Sequence, residues 1–420
     1  MSIQVTKDLV AYEMYNSTLN PVSYLSGYNT NIVKWTKDES ETRNIVRGSV
    51  SITTENGEAL LGYLYPRYNP SLERYEFSVD LYEIIKTYFG NFKDGVTYDI
   101  STPVIFDSTL FQTCTCVLGI LYDDDTNDST TLECVFLRSV KQHIDRNTGH
   151  FFNYPYGDFN VQNFLLNSNK EFLNINTLKF IDNIKIFKGY PLDISFIYPE
   201  GTISNVSYNL YDKVNAGSIQ FDEIGSSLTP KSIGRMIISD GVNLLPILED
   251  NPELLEGRLR FQVRDGGGFD KCVLGVNFTI VDECGWYVKW LNRQGGYSYW
   301  LFNKKDRQVM TTKTLGTIMK DAGLLSYETD EMSIGSSMEE KIQITSQDLE
   351  DWEFNHVLDL STSPLVYLYT GEKGSPLDGD QTNWLRIPQI NNFKFTKKSE
   401  QVKYTIGFEL DLPRTFTQIL

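Results

Sequence analysis

The stretch with the strongest claim to chemistry is Asp123-Asp124-Asp125-Thr126-Asn127-Asp128. Asp123, Asp125 and Asn127 place oxygen at alternate positions, as the ligands of a calcium loop do. Such a loop also needs glycine at its sixth position and glutamate at its twelfth, and Asp128 and Cys134 stand there instead. The stretch therefore reads as a solvated hairpin tip. Cys114 and Cys116 share one face of a strand, with Cys134 across the hairpin and His143 beyond. Zinc prefers two cysteines separated by two to four residues, so Cys-x-Cys on a strand reads as packing. Asp265-Gly266-Gly267-Gly268-Phe269-Asp270 invites comparison with a phosphate loop, but neither a Lys-Ser/Thr pair nor a helical run follows. It reads as a hairpin turn. The three histidines, at 143, 150 and 356, belong to no H-E-x-x-H pattern, and the chain has no nucleophile elbow. Carboxylates are numerous enough to permit a glycosidase pair about 5–10 Å apart, which keeps a hydrolase of cell-wall or capsular sugar as a third reading. The expectation is a protein without catalytic residues, cofactor or metal.

Composition sets the scale on which any such site must be held. A chain of 420 residues exceeds one ordinary core, so two to three domains are expected. With 40% hydrophobic and 13% aromatic residues it is a folding sequence. The formal charge of −17 repels phosphate and offers no basic footprint for gripping DNA. Solubility explains such a surface, and so does a wall along which DNA passes without adhering. There is no apolar run of membrane-spanning length and no apolar signal segment in MSIQVTKDLVAY. Five cysteines in this length read as reduced thiols of a protein made in a cytoplasm.

The elements that must position these residues are mostly strands. Ile45–Thr53 and Ala59–Tyr65 flank an Asn-Gly turn. Asp80 caps a helix carrying Leu81, Ile84, Ile85 and Tyr88 on one face, with Glu83 completing an acidic capping box. Thr113–Tyr122 and Thr131–Val140 make a hairpin. Ile184–Phe187, Leu192–Tyr198, Ile203–Tyr211, Arg258–Arg264 and Lys271–Val281 give short strands at the spacing of a sandwich. Thr345–Leu360 has Leu349, Trp352, His356 and Leu360 at helical spacing, with His356 a packed or rim histidine. Leu365–Tyr369, Arg386–Thr396 and Gln401–Leu410 close the chain as strands. The expected fold is mainly β and multi-domain: an N-terminal sandwich-like domain over 1–140, a connector over 141–165, a second sandwich over 166–282, both immunoglobulin-like, and a β-rich domain over 283–420 with a helix near 346–360.

Aromatic residues concentrate in two places. Cys284–Lys305 is an antiparallel hairpin about Asn292–Gly296, with large side chains on both faces. It reads as core, and alternatively as a ligand platform. The connector holds Phe151, Phe152, Tyr154 and Tyr156, an interface that would bury against a partner.

The order of these features resembles virion proteins of the crAss-like phages, tailed phages of Bacteroidetes hosts. Arg74–Phe89 is similar to their strand-to-helix step, and Phe172-Leu173-Asn174 through Pro191–Pro199 to a second pattern. Trp290–Trp300 (WLNRQGGYSYW) resembles their W-L-N-x-x-G-G-aromatic hairpin, the most specific of the matches. Leu358–Tyr369 followed by Lys397–Leu410 is similar to their closing strands. Together these span most of the chain. The resemblance implies a tail, collar or hub component of the virion, assembled in the host cytoplasm and closed on itself in a symmetric ring. It implies contacts with portal-proximal, tail or fibre proteins, no cofactor, and DNA at most passing through a channel. No catalytic residues belong to the pattern. A different reading of the same aromatics is a carbohydrate- or host-surface-binding adhesin or fibre module, in which Trp and Tyr stack on sugar rings.

Overall fold

The computed structural model describes residues 3–8, 11–13, 23–28, 30–37, 43–54, 57, 59–71, 73–89, 98, 104–140, 182–198, 203–212, 218–224, 232–265, 270–293, 295–319, 331–375, 383–398 and 403–413. Its first part contains β1 (Gln4–Asp8), β2 (Ala11–Glu13), β3 (Ser23–Ser26), β4 (Ile32–Thr36), β5 (Ile45–Thr54), β6 (Ala59–Leu64), β7 (Arg67–Asn69) and β8 (Arg74–Asp80). Then come helix α1 (Tyr82–Tyr88), β9 (Val104–Phe106), β10 (Phe111–Tyr122) and β11 (Asn127–Leu137). A four-stranded sheet, β1-β4-β8-β7, accompanies a six-stranded one, β2-β3-β11-β10-β5-β6. Trp35, Phe77, Leu118 and Phe136 lie in the core they share, and the Trp35 indole donates to the Gly119 carbonyl at 3.0 Å. Asp80 does organise the start of α1, its Oδ1 accepting from the Tyr82 and Asn31 backbone N–H groups at 3.0 and 2.9 Å. Glu83 instead pairs with Lys86 three residues on, so the predicted capping box does not form there.

The second part contains β12 (Asp182–Phe187), β13 (Pro191–Tyr198), β14 (Ile203–Asp212), β15 (Ser218–Ile224), β16 (Ser232–Asp240), helix α2 (Pro246–Glu249), β17 (Glu256–Asp265) and β18 (Asp270–Val281). Five strands form one sheet, β12-β18-β17-β14-β15, with β12 parallel to β18 and the other neighbours antiparallel. The second and fifth strands, β13 and β16, pair in the facing sheet. That division is the one of an immunoglobulin-like sandwich. The third strand of the facing sheet is β9, which comes from the first part of the chain and pairs antiparallel with β16.

The third part begins with the aromatic hairpin, β19 (Trp286–Leu291) and β20 (Tyr297–Phe302), in the register Trp286↔Phe302 to Leu291↔Tyr297. Beyond it lie β21 (Lys304–Met319), β22 (Glu331–Leu349), helix α3 (Asp351–Leu358), a 3-10 turn (Asp359–Thr362), β23 (Val366–Tyr369), β24 (Trp384–Ile387), β25 (Gln389–Lys398) and β26 (Lys403–Asp411). Two sheets result, β20-β19-β23-β24 and β21-β22-β26-β25. The helix expected from Thr345 starts later, because Ile342, Ile344 and Ser346 alternate inward with period two and pair with β26. Asp348 then turns at φ 57°, and Glu353 reaches back to accept the Glu350 N–H at 2.8 Å, which fixes the first turn. The single strand expected over Arg386–Thr396 is split at Pro388 into β24 and β25, which belong to different sheets.

The second and third parts share one hydrophobic core. At its end, β11 is buried on both faces. Cys134 and Phe136 enter the first core, while Val135 and Leu137 enter the shared one. The molecule is thus a mainly β, multi-domain sandwich protein whose parts are joined by buried surface.

Candidate interaction surfaces

The polar residues with the right chemistry for a site converge on Arg235, which is fully buried. Its Nε donates to Asp193 at 2.9 Å, Nη2 donates to Asp193 at 2.6 Å, and Nη1 donates to Asp107 at 2.9 Å. The hydroxyls of Tyr98 and Tyr299 both donate to Asp193 and accept from Nη2 at 3.1 and 3.3 Å. The Tyr297 ring lies 4.6 Å from the guanidinium carbon. Charge-assisted bonds of this kind satisfy the guanidinium where it is dry. Tyr98 and Asp107 come from the first part, Asp193 and Arg235 from the second, Tyr297 and Tyr299 from the third, so the cluster ties all three together.

Lys289 sits close by, fully buried on β19, with its ammonium 4.2 Å from the Trp384 ring and 5.1 and 5.2 Å from Tyr367 and Tyr297. Burial, then the Asp193 charge, pushes the Tyr287 phenol well above its usual range. Burial drives His356 down to about 4. Its Nε2 lies 3.1 Å from the Tyr299 carbonyl, between Trp290 and Trp300. Of the packed and rim positions that the sequence allowed for His356, the structure takes the packed one. A cavity of about 30 Å³ opens beside Lys185, Asp193, Trp300 and His356. That is room for water, far below the roughly 300–1,000 Å³ of a small-molecule site.

The other candidate positions resolve into local structure. Asp124 accepts from the Thr126 N–H at 3.0 Å and from its hydroxyl, Asp123 takes an Asn44 amide at 2.9 Å, and Asp128 binds Arg43 at 2.8 Å. The tip between β10 and β11 is tighter than expected, since Asn127 and Asp128 already pair in the ladder. Cys114 faces Cys134 across that ladder, both buried, and burial lifts the Cys116 thiol to about 12. Among the described residues no group of three His, Cys, Asp or Glu side chains is placed to hold a metal ion. The glycine-rich run joins β17 and β18, which pair antiparallel as a hairpin; 266–269 themselves lie outside the described residues. The proposed interface residues Phe151, Phe152, Tyr154 and Tyr156 also lie outside them, as do His143 and His150.

The aromatic hairpin is core. Every side chain from Tyr287 to Leu291 and from Tyr297 to Phe302 is buried. Its turn docks on the first part: the Val140 N–H donates to Arg293 at 2.9 Å, and Gly295, at φ 92°, lies against the Arg138 backbone where a Cβ would come within 3.3 Å. Trp290, Trp300 and Trp384 are therefore not available to stack on a ligand.

Two surfaces remain unspent. The first is an arm. β22 pairs with β26 over Lys341–Leu349, the Leu412 N–H donates to the Glu340 carbonyl at 2.9 Å, and its described partner from Glu331 to Glu339 is β21 alone. Those nine residues of strand extend the ribbon about 30 Å past the sheet. None of the described side chains in Arg307–Thr317 or Ile334–Glu340 is buried, and Met310 and Leu315 are exposed. Sequence patterning missed the arm because its two polar faces carry no hydrophobic alternation.

The second surface is the edge strand β6, whose sequence ALLGYL has no charge. Leu60, Leu61 and Tyr63 are 45%, 58% and 55% exposed, and Tyr65 just beyond is 89% exposed. Arg47 lies 4.0 Å over the Tyr63 ring, and Tyr68 and Tyr75 form an exposed edge-to-face pair at 5.6 Å.

No protein-family model and no curated protein matches the chain. Among solved structures it is similar to the fibronectin(III)-like modules of Clostridium thermocellum CbhA, at 8% identity and a TM-score of 0.16, over 66% of this chain and 95% of that one. A likeness at that score has no bearing on function, and the sandwich assignment rests on the strand pairing itself. No described helix is long and apolar enough to cross a membrane.

Proposed function

We propose that this chain is a non-catalytic structural subunit of a tailed-phage virion, part of the neck, collar or tail, which assembles with copies of itself into a symmetric ring. The arm formed by β21 and β22 carries the reading. A two-stranded ribbon with none of its described side chains buried is barely stable in water, and a chain that extends one gains from it when a neighbour covers it. The buried charges are spent on joining the three parts of one protomer, which suits a rigid building block. The resemblance of Trp290–Trp300 and its flanking patterns to crAss-like phage virion proteins supports the same reading. So does the acidic surface, which would let DNA pass through a channel without adhering. Its partners are then its own copies and the neighbouring portal-proximal, tail or fibre proteins, and its place is the virion.

The test is light scattering with negative-stain imaging of the same fraction. Uniform rings at a fixed multiple of 48.2 kDa are expected. A monomer that stays monomeric when co-expressed with neighbouring virion proteins refutes the proposal. Exposed Tyr63, Tyr65, Tyr68 and Tyr75 favour a second reading, a glycan-binding adhesin or fibre module. That reading requires glycan binding by the monomer that is lost when Tyr63 and Tyr65 become Ala.

A further inference from the structure

The six-stranded sheet has an outward face as well as the edge at β6. β6, β5, β10 and β11 are neighbours in it. Even-numbered side chains of these strands, among them Val50, Ile52, Leu118 and Leu132, enter the first core. Alternation turns the odd-numbered ones to the other face. The register lines them up across the strands, Tyr63 with Ser49, Gly119 and Ser129, and Leu61 with Ser51, Val117 and Thr131. Ser129 and Thr131 are exposed, and Ser49, Ser51 and Val117 are half-buried. Gly119 raises no side chain from its row, and a Cβ there would clash with the Ser49 hydroxyl. The result is a low, hydroxyl-bearing platform with exposed Leu61 and Tyr63 along one side. Tyr65, 89% exposed, follows two residues on.

Charge and size select what can lie on this platform. Among the described residues of the four strands, Arg47 and Glu133 alone bring charge to it, and the Arg47 guanidinium lies over the Tyr63 ring at 4.0 Å. Over the whole chain 22% of residues are charged, to a net −17. A sugar chain bearing carboxylate, sulfate or phosphate is repelled by such a molecule, and an uncharged one is not. Strands about 4.8 Å apart and side-chain rows about 6.8 Å apart make the platform about 14 by 20 Å, on the order of 300 Å². A protein partner covers about 800 Å² on each side of a stable interface, so the platform is too small to hold one by itself. It is flat enough for a stretch of polysaccharide. Tyr rings stack on the apolar faces of sugar rings, and Ser and Thr hydroxyls both donate to and accept from sugar hydroxyls.

We infer that this outward face binds an uncharged polysaccharide, which stacks on Tyr63 and Tyr65 and crosses the strands toward Ser129 and Thr131. The inference rests on the glycan-binding reading above and specifies its face and its class of ligand. Tyr68 and Tyr75 belong to the four-stranded sheet and take no part in it.

The experiment is native electrophoresis of the full chain through gels containing dextran, mannan, β-glucan or hyaluronan, each mobility taken relative to a gel without polysaccharide. Retardation by at least one of the three neutral polymers, and none by the anionic hyaluronan, is expected. Tyr63→Ala and Tyr65→Ala should each weaken binding about threefold to tenfold, the worth of one stacked ring. Tyr65→Phe keeps the ring and should keep the binding. Thr131→Arg raises a long side chain on the far strand and should weaken binding as much as the loss of a tyrosine. Leu255→Lys, an exposed position elsewhere, should leave it unchanged. Retardation that survives Thr131→Arg but is lost in Tyr65→Ala confines the ligand to the β6 edge, which overturns the platform while leaving the glycan reading standing. Retardation by hyaluronan alone overturns the uncharged class and also leaves that reading standing. Retardation that survives both tyrosine changes, or a wild-type protein retarded by none of the four polymers, overturns both.

Discussion

Replacing Arg235 with Met should loosen the junction of the three parts together. The side chain is fully buried and donates to two buried carboxylates and two phenols, at distances from 2.6 to 3.3 Å. Met matches the length of the stem but leaves Asp107 and Asp193 without their shared cation. Breaking a buried ion pair from one side costs about 3–5 kcal/mol, because the remaining charge has no compensation. For a cooperative unit of 150–250 residues, each kcal/mol lowers the midpoint by about 2–4 °C, so a drop of roughly 6–20 °C is expected. Differential scanning calorimetry of the intact chain measures it. Asp193→Asn keeps the Asp107 pair and the side-chain volume but replaces one accepting oxygen with an NH2 that only donates, and should cost less, about 1–3 kcal/mol. A midpoint for Arg235→Met within 2 °C of wild type would refute the assignment of this cluster as the joint.

Two further outcomes follow from buried groups. His356 titrates at about 4 in the folded protein against 6.5 when unperturbed, so the unfolded chain takes up its proton first as pH falls. Stability from this group is complete above pH 6.5 and is lost progressively down to about pH 4, roughly 3 kcal/mol in all. Urea titrations of wild type and His356→Gln should show their stability difference shrinking by that amount between pH 7 and pH 4, and a constant difference would contradict the burial described. Cys116, lifted to about 12 by burial, should resist a thiol reagent at pH 8 in the native protein while exposed Cys284 reacts. Modification of Cys116 at the Cys284 rate, read by peptide mass, would overturn that.

Much of the fold was legible because its signals are local. The Asn-Gly turn, the β10–β11 hairpin and the aromatic hairpin each combine period-two side chains with a turn that fixes register, and all three form. The helix near 351 was legible in existence and wrong in its start, because three-and-four spacing from Leu349 continued backwards into residues that alternate. What was not legible is non-local. Nothing near Val104 announces that it pairs with Met236, and nothing near Arg235 announces Asp107 and Tyr98. Asp107, Asp193, Tyr98 and Tyr299 are ordinary polar residues in sequence, and only the packing of three sheets brings them together. The arm escaped for the opposite reason: with no core to face, its composition follows no burial pattern.

The pairing of β9 with β16 has a consequence for synthesis. The donor strand leaves the ribosome well before the sheet that receives it, and Asp107 precedes Arg235 by 128 residues. At roughly 5–20 residues per second, that interval is on the order of ten seconds. During it the N-terminal sandwich can close around Trp35 and Phe77, but β9 and the buried carboxylate beside it wait in solvent without their partners. A nascent chain stalled before residue 232 would therefore present a short unpaired strand to any chaperone or neighbouring chain, and a fragment begun after residue 106 would present the matching gap on β16.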